Sequence, residues 1–274
     1  MEEFPPILYS KDYNASSVFT PESLLWEARR QRSISPGKIP DICVLDPDGD
    51  IVCNLLGENK CSINPHWACY HTKLFNFELD GITIGFVGYA VGSSFAVLVA
   101  EELFASGCKL LISITSAGQI LPVAVPPYFI VIEKALRDEG TSYHYLPASK
   151  YSEMNGTCLN IIKDAFYKPS APVYFGTTWT TDAPFRETAK EIENYCKEGI
   201  YAVEMEAAAL YAFSKAKKKD VICFAHVTNE MGKESGNFEK GIADGSREAL
   251  DVISLTVKKW LSMTNDEKKW YYTI

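Results

Sequence analysis

Four predicted strands of this 274-residue chain end in short runs of polar or small residues. The runs are Asp46-Pro47-Asp48-Gly49, Thr115-Ser116-Ala117-Gly118, Val203-Glu204-Met205-Glu206 and Thr228-Asn229-Glu230. Carboxylates, hydroxyls and amides are side-chain groups that can form hydrogen bonds to a polar ligand. In open α/β sheets, ligands bind outside the carboxyl ends of the strands. Each run alone is weak evidence, but together they predict a polar binding site at one edge of a sheet.

The two acids of the third run have two interpretations. While the backbone is extended, Glu204 and Glu206 point to the same side, because side chains repeat every two residues in a strand. In a helix they lie roughly 200° apart, so only one can face a ligand. Acids are also stabilised at a helix N-terminus by the helix dipole, so both residues could be ordinary caps. The spacing alone leaves both interpretations open.

Apolar strands and helical patterns alternate along the whole chain. Strands are predicted at 41–45, 73–79, 82–87, 108–115, 128–136, 173–178, 201–203 and 221–227. Helices are predicted at 21–31, from 94 to about 106, and at 158–166, 185–197, 204–217 and 243–261. Asp80-Gly81 lies between two alternating apolar runs and predicts a hairpin turn.

This alternation predicts an α/β fold with a mixed, mostly parallel twisted sheet flanked by helices. Residues 1–40 are predicted to form an N-terminal arm with one short helix capped by Thr20. Residues 41–274 are predicted to form a single α/β domain, because no linker, low-complexity tract or repeat divides them.

The composition excludes several classes of function. The formal net charge of −8 argues against a nucleic-acid or anionic-membrane surface. The most apolar stretch, Phe95–Leu103, is too short to span a bilayer, and the N-terminus has no signal-peptide pattern. Eight cysteines without a CxxC pair predict buried thiols in a reducing cytoplasm. The four histidines have no ligand spacing to those cysteines, so no metal site is expected.

Five segments resemble those of the nucleoside phosphorylase-I family, which includes purine nucleoside phosphorylases, uridine phosphorylases and methylthioadenosine/adenosylhomocysteine nucleosidases. Val203-Glu204-Met205-Glu206-Ala207-Ala208 resembles its ribose-binding signature, and Ile114–Gly118 its phosphate/ribose loop. Arg137–Ser142, Thr180–Phe185 and Thr228-Asn229 resemble further segments in the same order. The match extends from about residue 40 to 262 and implies a single-domain phosphorylase-like fold.

The resemblance implies roles for the residues near the sugar. Glu206 is expected to bind the ribose 2′- and 3′-hydroxyls, with Met205 beneath the sugar, Glu204 beside it and Ser116 near the anomeric carbon. A carboxylate suits this role because it accepts two hydroxyl donors and favours the positive charge of an oxocarbenium-like transition state.

Other matching residues are expected to contact the base. Trp179 or Phe185 would stack on it, while Thr228 and Asn229 would face it. Asn229 stands where hexameric purine phosphorylases usually have an aspartic acid. An amide cannot transfer a proton, but it can donate a hydrogen bond to the departing base. This substitution favours a 6-oxopurine or a pyrimidine over a 6-aminopurine.

The expected phosphate site is the part that departs most from the family. The residues expected there are Ser116, Ser113, Gly118 and His71. Family phosphorylases typically hold phosphate with a Gly-Asp-Pro-x-Arg turn, a second arginine before the Ser/Thr loop and a third from the neighbouring subunit. None of the six arginines lies between 33 and 136, and Gly49 and Ser113 occupy the first two of these positions. Serine and glycine do not replace a guanidinium fork.

The predicted activity is phosphorolysis of a purine or pyrimidine nucleoside to a free base and a pentose 1-phosphate, with Glu206 and Asn229 as the catalytic residues. Inorganic phosphate is the co-substrate, and no metal or organic cofactor is expected. The resemblance also implies a homo-oligomer, either a dimer or a trimer of dimers. The missing arginines keep open hydrolysis by water, and a non-catalytic nucleoside-binding or storage protein is the third alternative. A loop at 232–241 is expected to close over the site.

Overall fold

A computed structural model describes residues 5–9, 11–230 and 240–263. Its strands are β1 (Ile42–Asp46), β2 (Cys61–Ile63), β3 (Phe75–Leu79), β4 (Ile82–Gly88), β5 (Leu110–Gln119), β6 (Tyr128–Asp138), β7 (Tyr151–Glu153), β8 (Val173–Thr181), β9 (Ile200–Glu204) and β10 (Asp220–Glu230). Its α-helices are α1 (Pro21–Arg32), α2 (Asp50–Gly57), α3 (Ser93–Ala105), α4 (Gly156–Ile162), α5 (Ala189–Lys197), α6 (Ala207–Lys217) and α7 (Ser246–Ser262).

The described strands form one mixed sheet in the order β10-β6-β8-β9-β5-β1-β4-β3-β2, with β7 beside β6. The longest pairings, β5 with β10 and β6 with β8, are parallel, whereas β10 with β6 and β5 with β9 are antiparallel. Because β10 also pairs with β5, strands β5, β9, β8, β6 and β10 close into a barrel. The predicted α/β fold with a mixed sheet is confirmed.

Local sequence signals explain the well-predicted elements. The Asp80-Gly81 turn joins β3 to β4, with φ of 53° and 79° and Leu79 paired with Ile82. Both positive φ values fit the turn type that two-residue hairpins favour. Thr20 caps α1 by accepting from the Ser23 N–H at 3.2 Å. The arm helix then buries Leu25 and Ala28 beside Ala68.

Several features differ from the sequence prediction, and among them strands β2 and β7 have no predicted counterpart. Helix α2 follows the Asp46–Gly49 turn directly, where no helix was predicted. Helix α5 begins at Ala189, after the predicted start at 185, because Thr188 and Glu191 form a capping box there. β5 extends past 115 to Gln119, because its last residues pair with both β9 and β10. No helix among the described residues has the length and apolarity that a membrane span requires.

Candidate active site at the strand ends

β5 brings the predicted polar strand ends together. Ser113 pairs with Leu45 of β1, and Ser116 pairs with His226 of β10. Further along, Gly118 pairs with Val203 of β9 on one side and with Asn229 of β10 on the other. The third run follows Val203 directly, so these pairings gather all four runs around one strand.

Glu204 is used entirely for contacts within the protein. Its Oε1 accepts from the hydroxyls of Thr178 and Thr180, at 3.0 and 2.5 Å. Its Oε2 accepts from the backbone N–H groups of Glu206 and Ala207, both at 2.7 Å. These bonds cap the N-terminus of α6 and fix the turn that carries Glu206. These contacts occupy both oxygens of Glu204, and the ribose-binding role expected for it stays a prediction.

Glu206 is only 1% exposed, yet one of its oxygens is unused. Its Oε1 accepts from the Gly92 N–H at 2.6 Å, whereas its Oε2 has no hydrogen-bond partner among the described residues. Burial, and then the neighbouring Glu204 carboxylate, raise the pKa of Glu206 to about 8. A buried carboxyl group without a partner is costly, so a nearby hydroxyl donor would stabilise it.

The loop before α3 holds the Met205–Glu206 turn in place. The Ser93 hydroxyl donates to the Met205 carbonyl at 2.8 Å, next to the bond from Gly92 to Glu206. Gly92 has φ of 86° and ψ of 151°, a conformation open almost only to glycine. The sequence analysis assigns no function to the segment between the predicted strand at 82–87 and the helix that follows it. The pairing of Gly92 with Glu206, 114 residues away, is a tertiary contact.

Asp48 lies on the loop expected to bind phosphate. Its Oδ2 accepts from the Ser116 N–H at 2.7 Å. Asp46, Asp50 and Asp244 line the same cavity, whose volume is about 20 Å³. Burial raises the pKa of Asp46 to about 7, although the Val52 N–H donates to its carboxylate at 2.9 Å. The sequence analysis places the Asp46–Gly49 run at the polar strand ends but does not predict the bond between Asp48 and Ser116.

Three residues near this turn, Lys240, His226 and Ser113, differ in their contacts. Lys240 donates to Asp50 at 2.5 Å. His226 stacks on Phe129 with 4.5 Å between ring centroids, and burial lowers the pKa of this histidine to about 4. Ser113 is 1% exposed and its hydroxyl has no partner among the described residues. The phosphate-binding role expected for Ser113 stays a prediction.

The residues expected at the base are only partly brought to this place. Asn229 lies beside Gly118 and accepts from the Thr228 hydroxyl at 3.3 Å. Trp179 is 1% exposed and donates to Asp138 at 3.0 Å, so its enclosed ring presents no face to a ligand. Phe185 is fully exposed in a short 3₁₀ helix. Burial leaves Trp179 little room to stack on a base, whereas the ring of Phe185 is accessible, and its base-stacking role stays a prediction.

His71 lines a second cavity, of about 530 Å³, with Arg32, Lys73, Tyr89 and further residues. Arg32 donates to the carbonyl oxygens of Cys69 and Tyr70 at 2.8 and 3.2 Å. No local sequence signal places Arg32 here, because its position depends on how α1 packs. The loop expected at 232–241 lies largely outside the described residues.

The described residues contain no group of three or more His, Cys, Asp or Glu side chains arranged to hold a metal. All eight cysteines are free thiols, and five of them are buried. The groups at the strand ends are mainly carboxylates, hydroxyls, backbone N–H groups and the Asn229 amide. Such groups bind a polar ligand with hydroxyl donors.

The model of the phosphorylase superfamily matches residues 44–258 of this chain. The chain therefore belongs to the phosphorylase superfamily.

Two relatives illustrate the range of enzymes to which this chain is similar. A guanosine phosphorylase from Halorubrum lacusprofundi is 22% identical over 229 residues, which cover 84% of this chain and 88% of the relative. A uridine phosphorylase from Thermococcus kodakarensis is 25% identical over 195 residues, which cover 65% and 69%.

Solved structures share the fold. The purine nucleoside phosphorylase from Toxoplasma gondii superposes with a TM-score of 0.68 at 16% identity, covering 81% of this chain and 90% of that one. A uridine phosphorylase from Vibrio fischeri superposes with a TM-score of 0.66 at 21% identity, covering 85% and 94%.

Proposed function

We propose that this protein is a nucleoside phosphorylase that cleaves the N-glycosidic bond of a purine or pyrimidine nucleoside with phosphate. The observation that carries the proposal is the Glu206 carboxyl group. It is buried, held on one side by Gly92, and has one oxygen without a partner among the described residues. A pair of sugar hydroxyls supplies the donors that such a group lacks.

The reaction follows from these positions. Glu206 accepts from the ribose hydroxyls, and its negative charge stabilises the oxocarbenium character that develops at the anomeric carbon. The electron pair of the N-glycosidic bond leaves with the base, and the Asn229 amide donates to the base as negative charge develops there. A phosphate oxygen then bonds to the anomeric carbon, which gives a pentose 1-phosphate and the free base. Glu204 contributes by fixing the Glu206 turn.

An oxo group suits the base that Asn229 would face, because the amide donates a hydrogen bond to a carbonyl oxygen. Relatives named for guanosine, for purine nucleosides and for uridine all match this chain. We therefore include 6-oxopurine nucleosides and uridine among the proposed substrates.

Hydrolysis is the second candidate, and one observation favours it. The Ser116 N–H, which would hold phosphate, is engaged by Asp48, and acids line the adjoining cavity. That environment accepts a neutral water molecule more readily than a phosphate dianion.

We also propose a cytoplasmic homo-oligomer in which His71 lies near a neighbouring subunit. The free cysteines support a reducing compartment. His71 lines a different cavity from Ser116, and Leu56 and Tyr89 of that cavity are 45% and 58% exposed. Exposed apolar side chains around a cavity are typical of an interaction surface.

The test is a panel of inosine, guanosine, adenosine, uridine, thymidine and methylthioadenosine, incubated with purified protein with and without phosphate. Free base is followed by chromatography and pentose 1-phosphate by a coupled assay. Phosphate-dependent release of one base is the expected result. Base release at the same rate with and without phosphate would identify hydrolysis. Absence of base release from all six nucleosides would contradict both enzymatic proposals.

A further inference from the structure

We propose that Asp48 determines which acceptor reaches the sugar, because its carboxylate competes with phosphate for the backbone N–H of Ser116. This inference rests on the proposed cleavage of a nucleoside and names the residue that selects its acceptor. Asp48 Oδ2 and Ser116 N lie 2.7 Å apart, a charge-assisted hydrogen bond of the kind that a phosphate oxygen would make. The Asp48 carboxylate thus occupies the backbone N–H that a phosphate oxygen would use.

The turn that carries Asp48 is rigid. Gly49 N–H donates to the Asp46 carbonyl at 2.9 Å, and Asp46 Oδ2 accepts from Val52 N–H at the start of α2. Gly49 has φ of 82°, and a Cβ there would lie 2.2 Å from the Tyr89 ring. The backbone on both sides of Asp48 is therefore fixed, and the carboxylate reaches β5 without moving the turn.

The space left beside this bond is small. The cavity between the turn, Ser116 and His226 has a volume of about 20 Å³. A cavity of roughly 10–15 Å³ on this measure already holds one water molecule. A phosphate ion that takes the Ser116 N–H must displace the Asp48 carboxylate from it, which requires the Asp48 side chain to turn away. Because Asp48 is exposed, this rotation disturbs no packed core.

The charges oppose phosphate in the same way. Asp46, Asp48, Asp50 and Asp244 line the cavity, and Lys240 is engaged by Asp50 at 2.5 Å. A phosphate dianion meets repulsion from these carboxylates, whereas water does not. Asp48→Asn removes the repulsion that lies nearest to Ser116 and leaves only a weaker, uncharged acceptor for its N–H, whereas Asp48→Ala removes the acceptor as well.

The experiment compares wild-type protein with Asp48→Asn and Asp48→Ala, and uses Asp41→Asn as the matched control. Asp41 precedes β1 and forms an exposed ion pair with Lys109 at 2.7 Å. Base release is measured over a range of phosphate concentrations with the best nucleoside of the panel. We expect the KM for phosphate to fall by about tenfold or more in both Asp48 variants, from the loss of one nearby like charge. The KM for the nucleoside should not change, and the control should match wild type.

Phosphate-independent release by wild type, together with phosphate-stimulated release by Asp48→Asn, also supports the proposal. An unchanged KM for phosphate in both Asp48 variants overturns it. Loss of cleavage with and without phosphate in these variants overturns it too, because Asp48 then serves the chemistry itself.

Calorimetric titration of each protein with inorganic phosphate gives a readout that needs no nucleoside. We expect tighter phosphate binding by both Asp48 variants than by wild type and Asp41→Asn, and equal affinities overturn the proposal. If no nucleoside is cleaved by any of the proteins, the proposed function fails, while the phosphate affinities still decide the role of Asp48.

Discussion

At the scale of single residues, two glutamates only two positions apart have different environments. Glu204 accepts four hydrogen bonds from the protein, which favour its ionised form. Glu206 accepts one from Gly92, and its second oxygen has no partner among the described residues. Burial raises the pKa of both glutamates despite these bonds, and at Glu206 the neighbouring Glu204 carboxylate adds to the effect, so that the pKa of Glu206 rises to about 8.

The proposed sugar contact makes the rate depend on the ionisation of Glu206. The carboxylate form accepts hydroxyl donors and stabilises positive charge, so kcat/KM for the nucleoside should rise with pH through about 8. Glu206→Gln should lower kcat/KM by about 10²–10³, in line with the loss of one electrostatic contact to a transition state. Steady-state pH profiles provide the measurement, with the exposed Glu193→Gln as control. A Glu206→Gln variant as active as wild type would contradict the sugar contact.

The same pKa predicts how stability varies with pH. Between pH 4.5 and about 8, native Glu206 holds a proton that the unfolded chain has lost. The free energy of unfolding should therefore fall as pH rises through this window, by on the order of 1 kcal/mol per pH unit. Asp46, whose pKa is raised to about 7, adds a decrease of the same sign. Urea denaturation at pH 6 and 8 should show a smaller decrease for Glu206→Gln than for wild type, and equal decreases would be evidence against a protonated Glu206.

At the scale of elements, helix N-termini set the geometry of the candidate site. α6 begins where Glu204 binds the N–H groups of Glu206 and Ala207, and the Ala208 N–H donates to Thr180 at 3.0 Å. α3 begins at the Gly92 N-cap, whose N–H binds Glu206. These contacts join two helix starts and β8 through two neighbouring carboxyl groups, those of Glu204 and Glu206.

Gly92→Ala tests this arrangement. A Cβ at Gly92 meets no atom within 4 Å, so the backbone conformation alone opposes the substitution. We expect a loss of about 1–3 kcal/mol of stability or a displaced N–H, with a lower kcat/KM in either case. Gly57→Ala is the matched control, because Gly57 lies at the end of α2 with an equally open Cβ position and no positive φ. Thermal melts and base-release assays of the two variants should differ, and similar behaviour would contradict the prediction.

At the scale of the whole molecule, the proposed oligomer is tested at the His71 cavity. Leu56 lines this cavity at the end of α2 and is 45% exposed. Leu56→Asp should dissociate the assembly in light scattering coupled to size exclusion, because a buried unpaired charge disfavours an apolar interface. Tyr167→Asp, at a residue 78% exposed after α4, should leave the mass unchanged. A monomeric wild type, or equal masses for wild type and Leu56→Asp, would exclude an interface at this cavity.

The sequence by itself determined the local features of the fold, those that depend only on residues close together in the chain. The Asp80-Gly81 hairpin, the Thr20 cap and the strand-to-helix junction at Glu204–Glu206 follow from local propensity and periodicity, and the structure has them in place. The four polar strand ends were also predictable, because the alternation of strands and helices brings the carboxyl ends of parallel strands to one edge.

The tertiary structure alone decided which side chains remain available to a ligand. Burial encloses Trp179, and the capping box at Thr188 leaves Phe185 exposed outside α5, although both residues stand in the expected segment. The bond between Asp48 and Ser116 joins residues 68 positions apart, and that between Gly92 and Glu206 joins residues 114 apart. No local pattern encodes such contacts, because they exist only when β1, β5, β9 and the α3 loop pack together. The physical reason is that a polar group can bind a ligand only where other groups of the folded protein do not already satisfy its hydrogen-bonding capacity.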